Sequence, residues 1–243
     1  MGDDDDNFLD PSQPGHIDDF LVPPQPGHIE RIVEELARPL EDDAAWAHEQ
    51  LAAATAQGSA PEEVQRWRRV HTRAVFALLE AGLWLFKQSL LTSLETETQP
   101  PGWATLAEFT PAELAMLRGE EYRLDAAGRA HARDARLRFI DDFKFMFRCM
   151  AKELHQTELA SFGTKGMEDL RRAKAVRDRL MHPKRPEDLL VTDEEAACIG
   201  AALEFWETVH EELDAMAART RTQLSDASAA QRCPDAVNRR QRS

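Results

Sequence analysis

Apolar residues recur at steps of three and four along most of the chain, which is the spacing of helices that bury one face. The longest pattern follows a serine cap at Ser59 and a proline two residues later, and it predicts a helix over residues 61–94. Before it, Pro39 interrupts the pattern of residues 29–57, which predicts two short helices or one kinked helix. A threonine cap followed by proline predicts a short helix over residues 110–117.

The helical pattern continues in the second half of the chain. A strongly apolar face predicts a helix over residues 137–160, and a basic segment predicts another over residues 167–181. The basic helix must end before Pro183, because proline disfavours helical geometry in the residue ahead of it. A last helix is predicted to begin at Thr192, a cap residue that acidic residues follow. Together these segments predict an all-α bundle with short connections.

Three stretches do not follow the helical pattern. Residues 122–129 predict a small β-hairpin that turns at residues 125–128. Residues 1–27 are rich in aspartate and proline, and residues 223–243 are polar, so we expect a disordered tail at one end and a flexible tail at the other. The sequence therefore predicts one helical domain over residues 28–222 between two tails.

Composition narrows the class of protein. The 243 residues carry a formal net charge of −14, which argues against a protein that coats nucleic acid or membranes through its overall field. The three cysteines are widely separated, and the common nucleotide, zinc and acyl-transfer motifs are absent, so we expect neither a metal nor a cofactor. Residues 1–6, Met-Gly followed by four aspartates, are the reverse of a secretory signal, so we expect none, and the longest apolar run, residues 74–86, is too short to span a bilayer. We therefore expect a cytoplasmic protein with no membrane partner.

One segment departs from the acidic composition. Residues 165–185 contain eight Lys or Arg against three acidic residues, which gives a local charge of +5. An island of this kind predicts a surface that binds an anion. Its candidate substrate-binding residues are Lys174, Arg179, Lys184 and Arg185.

Arg177 lies on the inward, apolar face of the predicted basic helix. Burying an unpaired charge costs several kcal/mol or more, so Arg177 needs a carboxylate partner unless its face lines a cleft. Asp141 and Asp142 are candidate partners for it. A purely structural ion pair is the alternative to a functional role.

Asp178 and His182 are four residues apart, so the carboxylate can orient the imidazole. Both this carboxylate and the helix C-terminus favour the protonated ring, which predicts an imidazole that titrates near neutrality. Together with Arg177, these residues suit the cleavage of RNA without a metal. The histidine would move the proton of the 2′-OH or of the leaving oxygen, and the arginine would stabilise charge on the phosphorane.

The sequence Arg177-Asp-Arg-Leu-Met-His182 resembles the R-x4–6-H motif of the HEPN superfamily, and the predicted order of helices is similar to the order in that family. The resemblance implies a HEPN-like helical bundle that forms a homodimer, so that two motifs face one cleft. It also implies a metal-independent endoribonuclease that acts on RNA. Such domains often serve as toxins controlled by an antitoxin, or in defence against phage, which implies a partner protein.

By position, the resemblance makes Arg177 and His182 the catalytic pair and puts Asp178 at the polar position after the arginine. Asn is frequent at that position in the family, and Asp there would repel a phosphate, although it could still orient His182. In one toxin branch a modified tyrosine follows the histidine by two positions, whereas this chain has Lys184. The resemblance therefore does not extend to that mode of regulation.

Two functions of different classes stay open. One is the endoribonuclease, and the other is a non-catalytic HEPN-like interaction module that binds a protein or nucleic-acid partner. His71 is either a second acid/base group or a hydrogen-bonded core histidine, and its spacing favours the core. Four phenylalanines could either stack on bases or fill the core, and we expect them in the core: Phe139, Phe143, Phe145 and Phe147.

Overall fold

The computed structural model describes five stretches of the chain, residues 31–95, 109–124, 126–135, 137–156 and 159–232. Within them the protein is mostly helical, with six α-helices and one two-stranded antiparallel sheet. The predicted all-α class is therefore confirmed. The predicted tail of residues 1–27, and residues 233–243 of the predicted C-terminal tail, lie outside the described residues.

The first two long helices form a helical hairpin. A π-helical turn at Val33–Ala37 runs directly into α1 (Arg38–Ala56). Pro39 has no backbone N–H to donate to the preceding turn, and that turn is π-helical, so the predicted interruption is a change of helix type rather than a break. Helix α2 (Pro61–Glu95) then packs along α1.

A short helix and a β-hairpin follow. Helix α3 (Pro111–Leu117) begins at Thr110, whose hydroxyl accepts a hydrogen bond of 3.2 Å from the N–H of Glu113. Strands β1 (Glu120–Leu124) and β2 (Ala130–Asp134) then pair in antiparallel register. The hairpin predicted from the sequence is confirmed.

Helix α4 (Phe139–Glu153) is shorter than predicted. The sequence pattern predicts a helix over residues 137–160, but His155 adopts a left-handed conformation with φ of 56° just after α4 ends. A 3₁₀ turn at Ala160–Gly163 follows, and its first two backbone N–H groups donate to the carboxylate of Glu212 at 2.6 and 3.1 Å. The predicted end of this helix is therefore wrong, because a tertiary contact holds the chain in a turn.

The basic helix α5 (Gly166–Met181) matches its predicted bounds closely. A 3₁₀ turn at Pro186–Leu189 connects it to α6 (Asp193–Arg232). Helix α6 continues past residue 222, because the following residues include alanine and glutamine, which are good helix formers. The predicted domain boundary at residue 222 thus falls inside a helix.

The core lies among α2, α4, α5 and α6. Phe143 and Phe147 of α4 are fully buried, with ring centroids 6.1 and 5.6 Å from that of Trp206 on α6. Phe139 and Phe145 are half-buried at its edge. The prediction that phenylalanines fill the core is confirmed for Phe143 and Phe147.

Helix α2 is long and apolar enough to cross a membrane, and among the described residues no other helix meets both conditions. The apolar run of residues 74–86 that the sequence analysis identified is shorter than this helix, which extends over residues 61–95. The helix nevertheless contacts α1, α4, α5 and α6, and Val75, Phe76 and Leu79 are fully buried in these contacts.

Candidate functional site

Arg177 satisfies both conditions that the sequence sets for it, since it has a carboxylate partner and lines a cleft. Its Nη2 donates to Glu80 Oε1 on α2, and its Nη1 donates to Asp178 Oδ1 at 3.3 Å. The side chain is half-buried, with 27% of its surface exposed. The partner is Glu80 rather than Asp141 or Asp142, which the sequence suggested.

The cleft beside Arg177 has a volume of about 290 Å³ and lies between α2, the start of α4, and α5. Apolar and charged side chains share its wall: Glu80, Leu83, Leu137, Phe139, Asp142, Lys174 and Arg177. Asp142 accepts a hydrogen bond of 2.7 Å from Lys87 Nζ. Among the described residues, no group of three or more His, Cys, Asp or Glu is arranged to hold a metal ion.

Charges in and around the cleft are balanced. Arg177 pairs with Glu80, Lys174 pairs with Asp178, and Lys87 pairs with Asp142. Partly exposed ion pairs of this kind contribute about 0–1 kcal/mol each. An incoming phosphate can therefore replace Glu80 as the partner of Arg177 at little cost to the fold.

His182 lies at the exposed C-terminal end of α5. Its backbone N–H donates to the carbonyl of Asp178 at 3.1 Å, and its backbone then leaves helical geometry, with φ of −131° and ψ of 56°. In the described part of the chain its imidazole has no hydrogen-bond or ion-pair partner. The ring is thus accessible from solvent and free to meet a ligand.

The predicted contact between Asp178 and His182 does not form. The Asp178 carboxylate pairs instead with Lys174 one turn earlier and with its neighbour Arg177. Two cations therefore already occupy this carboxylate. His182 has also left the helix, so the four-residue spacing no longer brings the two side chains together.

Asp188 fixes the segment that follows His182. Its carboxylate accepts the backbone N–H groups of Lys184 and Arg185 at 2.8 and 3.1 Å. The hydrogen bond from Lys184, and then that from Arg185, hold the pKa of Asp188 below its usual value against the opposing effect of desolvation. The side chains of Lys184 and Arg185 are exposed, and Arg185 also reaches Asp188 at 3.5 Å.

Arg179, which the sequence assigns to substrate binding, makes structural contacts. Its guanidinium donates twice to the Glu195 carboxylate on α6, at 2.9 Å each, and once to the carbonyl of Leu190 at 2.7 Å. The hydrogen bonds to Glu195 raise the pKa of Arg179. Arg179 does not line the cleft beside Arg177, whereas Lys174 does.

Three side chains of α2 hold the other end of the loop after His182. The Gln65 amide both donates to the carbonyl of Val191 at 2.9 Å and accepts its N–H at 2.8 Å. Arg68 donates to the same carbonyl at 2.7 Å, and Arg69 donates to the carbonyl of Leu189 at 3.2 Å. The loop is therefore attached to α2 at one end and to α5 at the other.

Sequence analysis missed Glu80 and the three α2 side chains that hold the loop. Glu80 could have been found, because it is a single charge inside an otherwise apolar run, just as Arg177 is a charge on an apolar face. No sequence signal pairs Gln65 with Val191, because 126 residues separate them. Their contact follows only from the packing of helices.

His71 lies away from this site. It is buried between α1 and α2, and its ring centroid is 5.3 Å from that of His48. Burial, and then the charge of His48, lower the pKa of His71 to about 4. Its side chain lies about 180° around α2 from that of Glu80. The burial expected of a core histidine is confirmed, but among the described residues its ring has no hydrogen-bond partner.

Comparison of the chain with protein-family models, with curated proteins and with solved structures finds no match.

Proposed function

We propose that the protein is a metal-independent endoribonuclease of the HEPN type. The observation that carries the proposal is the arrangement along α5, which holds Arg177 in the wall of a cleft and presents His182 at its exposed end. These are the two residues that the motif requires. A setting in a toxin–antitoxin or phage-defence system, with a controlling partner protein and a cytoplasmic location, is part of the proposal.

The proposed reaction uses the 2′-OH of the RNA itself as the nucleophile. The 2′-oxygen of a ribose attacks the neighbouring phosphorus, the bond from phosphorus to the 5′-oxygen breaks, and a 2′,3′-cyclic phosphate remains. His182 takes the 2′-OH proton when neutral or gives a proton to the leaving 5′-oxygen when charged. Arg177 stabilises the negative charge that develops on the phosphoryl oxygens.

A homodimer fits this chemistry better than a single chain. One motif offers one histidine, whereas the reaction uses both an acid and a base. Two-fold symmetry would bring a second Arg177 and His182 to a shared cleft. Met181 and Leu190, on either side of the His182 loop, are exposed apolar side chains that a second copy can cover.

The test is cleavage of single-stranded RNA in the presence of EDTA. The purified protein should cut RNA to products that end in a 2′,3′-cyclic phosphate, and it should leave DNA intact, because DNA has no 2′-OH. The His182→Ala variant should lose about 10²–10⁴-fold in rate. His48→Ala is the matched control, because His48 is an exposed histidine on α1. Equal cleavage by the His182 variant, or activity that EDTA abolishes and a divalent ion restores, contradicts the proposal.

The second candidate is a non-catalytic module that binds through its basic helix. The balanced charges of the cleft favour it, because Glu80 already neutralises Arg177. A protein that binds RNA or an acidic partner through residues 165–185, with no cleavage of any RNA, would have this function.

A further inference from the structure

Two arginines and one tryptophan are exposed on the same side of α2 as Glu80. At roughly 100° per residue, Arg66, Arg73 and Trp84 all lie within about 40° of Glu80 around the helix axis. All three side chains are exposed to solvent. Helix α1 packs on the opposite side of α2, where His71 meets His48, so it does not cover them.

This face of α2 lies next to the motif. Glu80 pairs with Arg177, Arg69 contacts the carbonyl of Leu189, and Gln65 contacts Val191. Residues that come later in the motif and its loop contact residues that come earlier in α2. The segment that carries His182 therefore runs antiparallel to α2, and along α2 Arg73 lies between the contacts made by Glu80 and Arg69.

Arg66 and Arg73 differ from four arginines near the motif whose guanidinium groups are already engaged. Arg68, Arg69, Arg177 and Arg179 are held by carboxylates or backbone carbonyls. For Arg66 and Arg73 the described part of the chain offers no hydrogen-bond or ion-pair partner. Two free guanidinium groups beside a basic helix are available to an anion, in a protein whose net charge is −14.

Trp84 adds a stacking surface to these charges. It is 43% exposed, whereas Trp206 is buried in the core and Trp67 packs against Trp46. It lies one turn beyond Glu80 along α2, whereas Arg73 lies about two turns before Glu80. An exposed indole can stack on the face of any unpaired base.

We propose that this face of α2 is a binding track for single-stranded RNA, with phosphates at Arg66 and Arg73 and a base stacked on Trp84. The track spans about 27 Å along the helix, which suits a strand of roughly four nucleotides or more. Arg177 lies between its two ends, so a bound strand passes the cleft. Only unpaired bases offer a free face to Trp84, which selects single strands over duplexes. The inference rests on the proposed endoribonuclease function and names where its substrate binds.

The experiment uses a fluorescent RNA oligonucleotide that carries 2′-O-methyl groups and cannot be cleaved. Its affinity for the protein is measured by anisotropy at several salt concentrations. The double variant Arg66→Gln, Arg73→Gln should bind more weakly, and the slope of log affinity against log salt should fall by about 1.4, or about 0.7 for each phosphate that an arginine no longer neutralises. Arg221→Gln is the control, because Arg221 is exposed on α6 next to Thr220, which contacts Leu154 at the end of α4 far from the cleft.

The tryptophan is tested by a pair of variants. Trp84→Leu keeps the apolar side chain but removes the ring, and it should weaken binding between about 5- and 150-fold. Trp84→Tyr should restore most of the affinity, because it keeps an aromatic face. If Trp84 were only structural, Trp84→Leu and Trp84→Tyr proteins of equal thermal stability would bind RNA with equal affinity.

The outcomes separate this inference from the proposed function. Weaker RNA binding by the α2 variants supports the track. This holds even if the protein does not cut unmodified RNA, because a lack of cleavage would overturn only the proposed endoribonuclease function. Unchanged affinity in both sets of variants overturns the track, and cleavage that still depends on His182 would leave the proposed function standing. A change in oligomeric mass for Trp84→Leu at unchanged RNA affinity also overturns it, because the face would then be a protein interface.

Discussion

Glu80 and Arg177 face each other across the cleft from positions that are 97 residues apart in the sequence. Each is a charge set into an apolar stretch of its own helix, and each provides the counter-charge that the other needs. Because both side chains remain partly exposed, the pair contributes little to stability. Its importance is that it sets the direction of the guanidinium and the strength of its attraction for a phosphate.

Replacing Glu80 by Gln should strengthen the binding of uncleavable RNA several-fold, because a carboxylate no longer competes with phosphate for Arg177. The free energy of unfolding should change by less than about 1 kcal/mol. Anisotropy titration and denaturant unfolding measure the two effects. Glu63→Gln, which removes the same charge from an exposed position in the first turn of α2, is the control. Equal affinities for the two variants would contradict the prediction.

His71 makes the stability of the protein depend on pH. Burial lowers its pKa to about 4 from an ordinary value of 6.5, so folding favours the neutral ring. The contribution of the neutral His71 ring to the free energy of unfolding is complete above pH 6.5. About 3 kcal/mol of it is lost as the pH falls from 6.5 toward 4. Denaturant unfolding at a series of pH values should show this loss, and His71→Leu should reduce it. His210, whose pKa burial also lowers, remains in both proteins, so their difference isolates His71.

At the scale of elements, the loop after His182 depends on α2 for its hydrogen bonds. Gln65 satisfies both backbone groups of Val191, which is completely buried. Gln65→Leu should lower the free energy of unfolding by about 1–3 kcal/mol, because the Val191 N–H is left without a partner. Chemical denaturation measures this loss. Arg66→Gln, at the next residue on the exposed side of α2, should change stability by less than about 0.5 kcal/mol. An equal loss in both variants would show that Gln65 has no special role.

The helices that the sequence predicts well are those whose bounds depend on local signals. The motif helix ends at Met181, two residues before Pro183, and α2 begins at Pro61, in agreement with the pattern. The end of α4 could not be predicted in this way, because Glu212 on a distant helix holds the turn that follows it. The motif residues themselves were predictable from the sequence, but their partners were not. The four-residue spacing suggested a contact between Asp178 and His182, and it could not show that Lys174 and Arg177 would bind the Asp178 carboxylate instead.

For the whole molecule, charge and apolar surface are distributed unevenly. The net charge is −14, yet residues 165–185 carry +5, and Met181 and Leu190 expose apolar side chains at the end of this basic segment. Excess like charge elsewhere on the surface opposes random association. The end of α5 is therefore the region where we expect two copies to meet.

The protein should be a dimer at tens of micromolar, and Met181→Asp should shift it toward the monomer by placing a charge in the interface. Light scattering or sedimentation velocity measures the mass. Leu124→Asp is the matched control, because Leu124 is an exposed apolar side chain near the tip of the β-hairpin. A strict monomer for the unaltered protein, or equal dissociation of both variants, would contradict this expectation.

The attachment of the motif loop to α2 has a consequence for protein synthesis. Gln65 leaves the ribosome long before Val191, because 126 residues separate them, so their contact forms only when most of the chain has been made. Until then the loop that follows His182 has no support, and Arg177 has not yet met Glu80. Under the proposed function, the chain would therefore lack its assembled motif while it is still beside the RNA of its own ribosome.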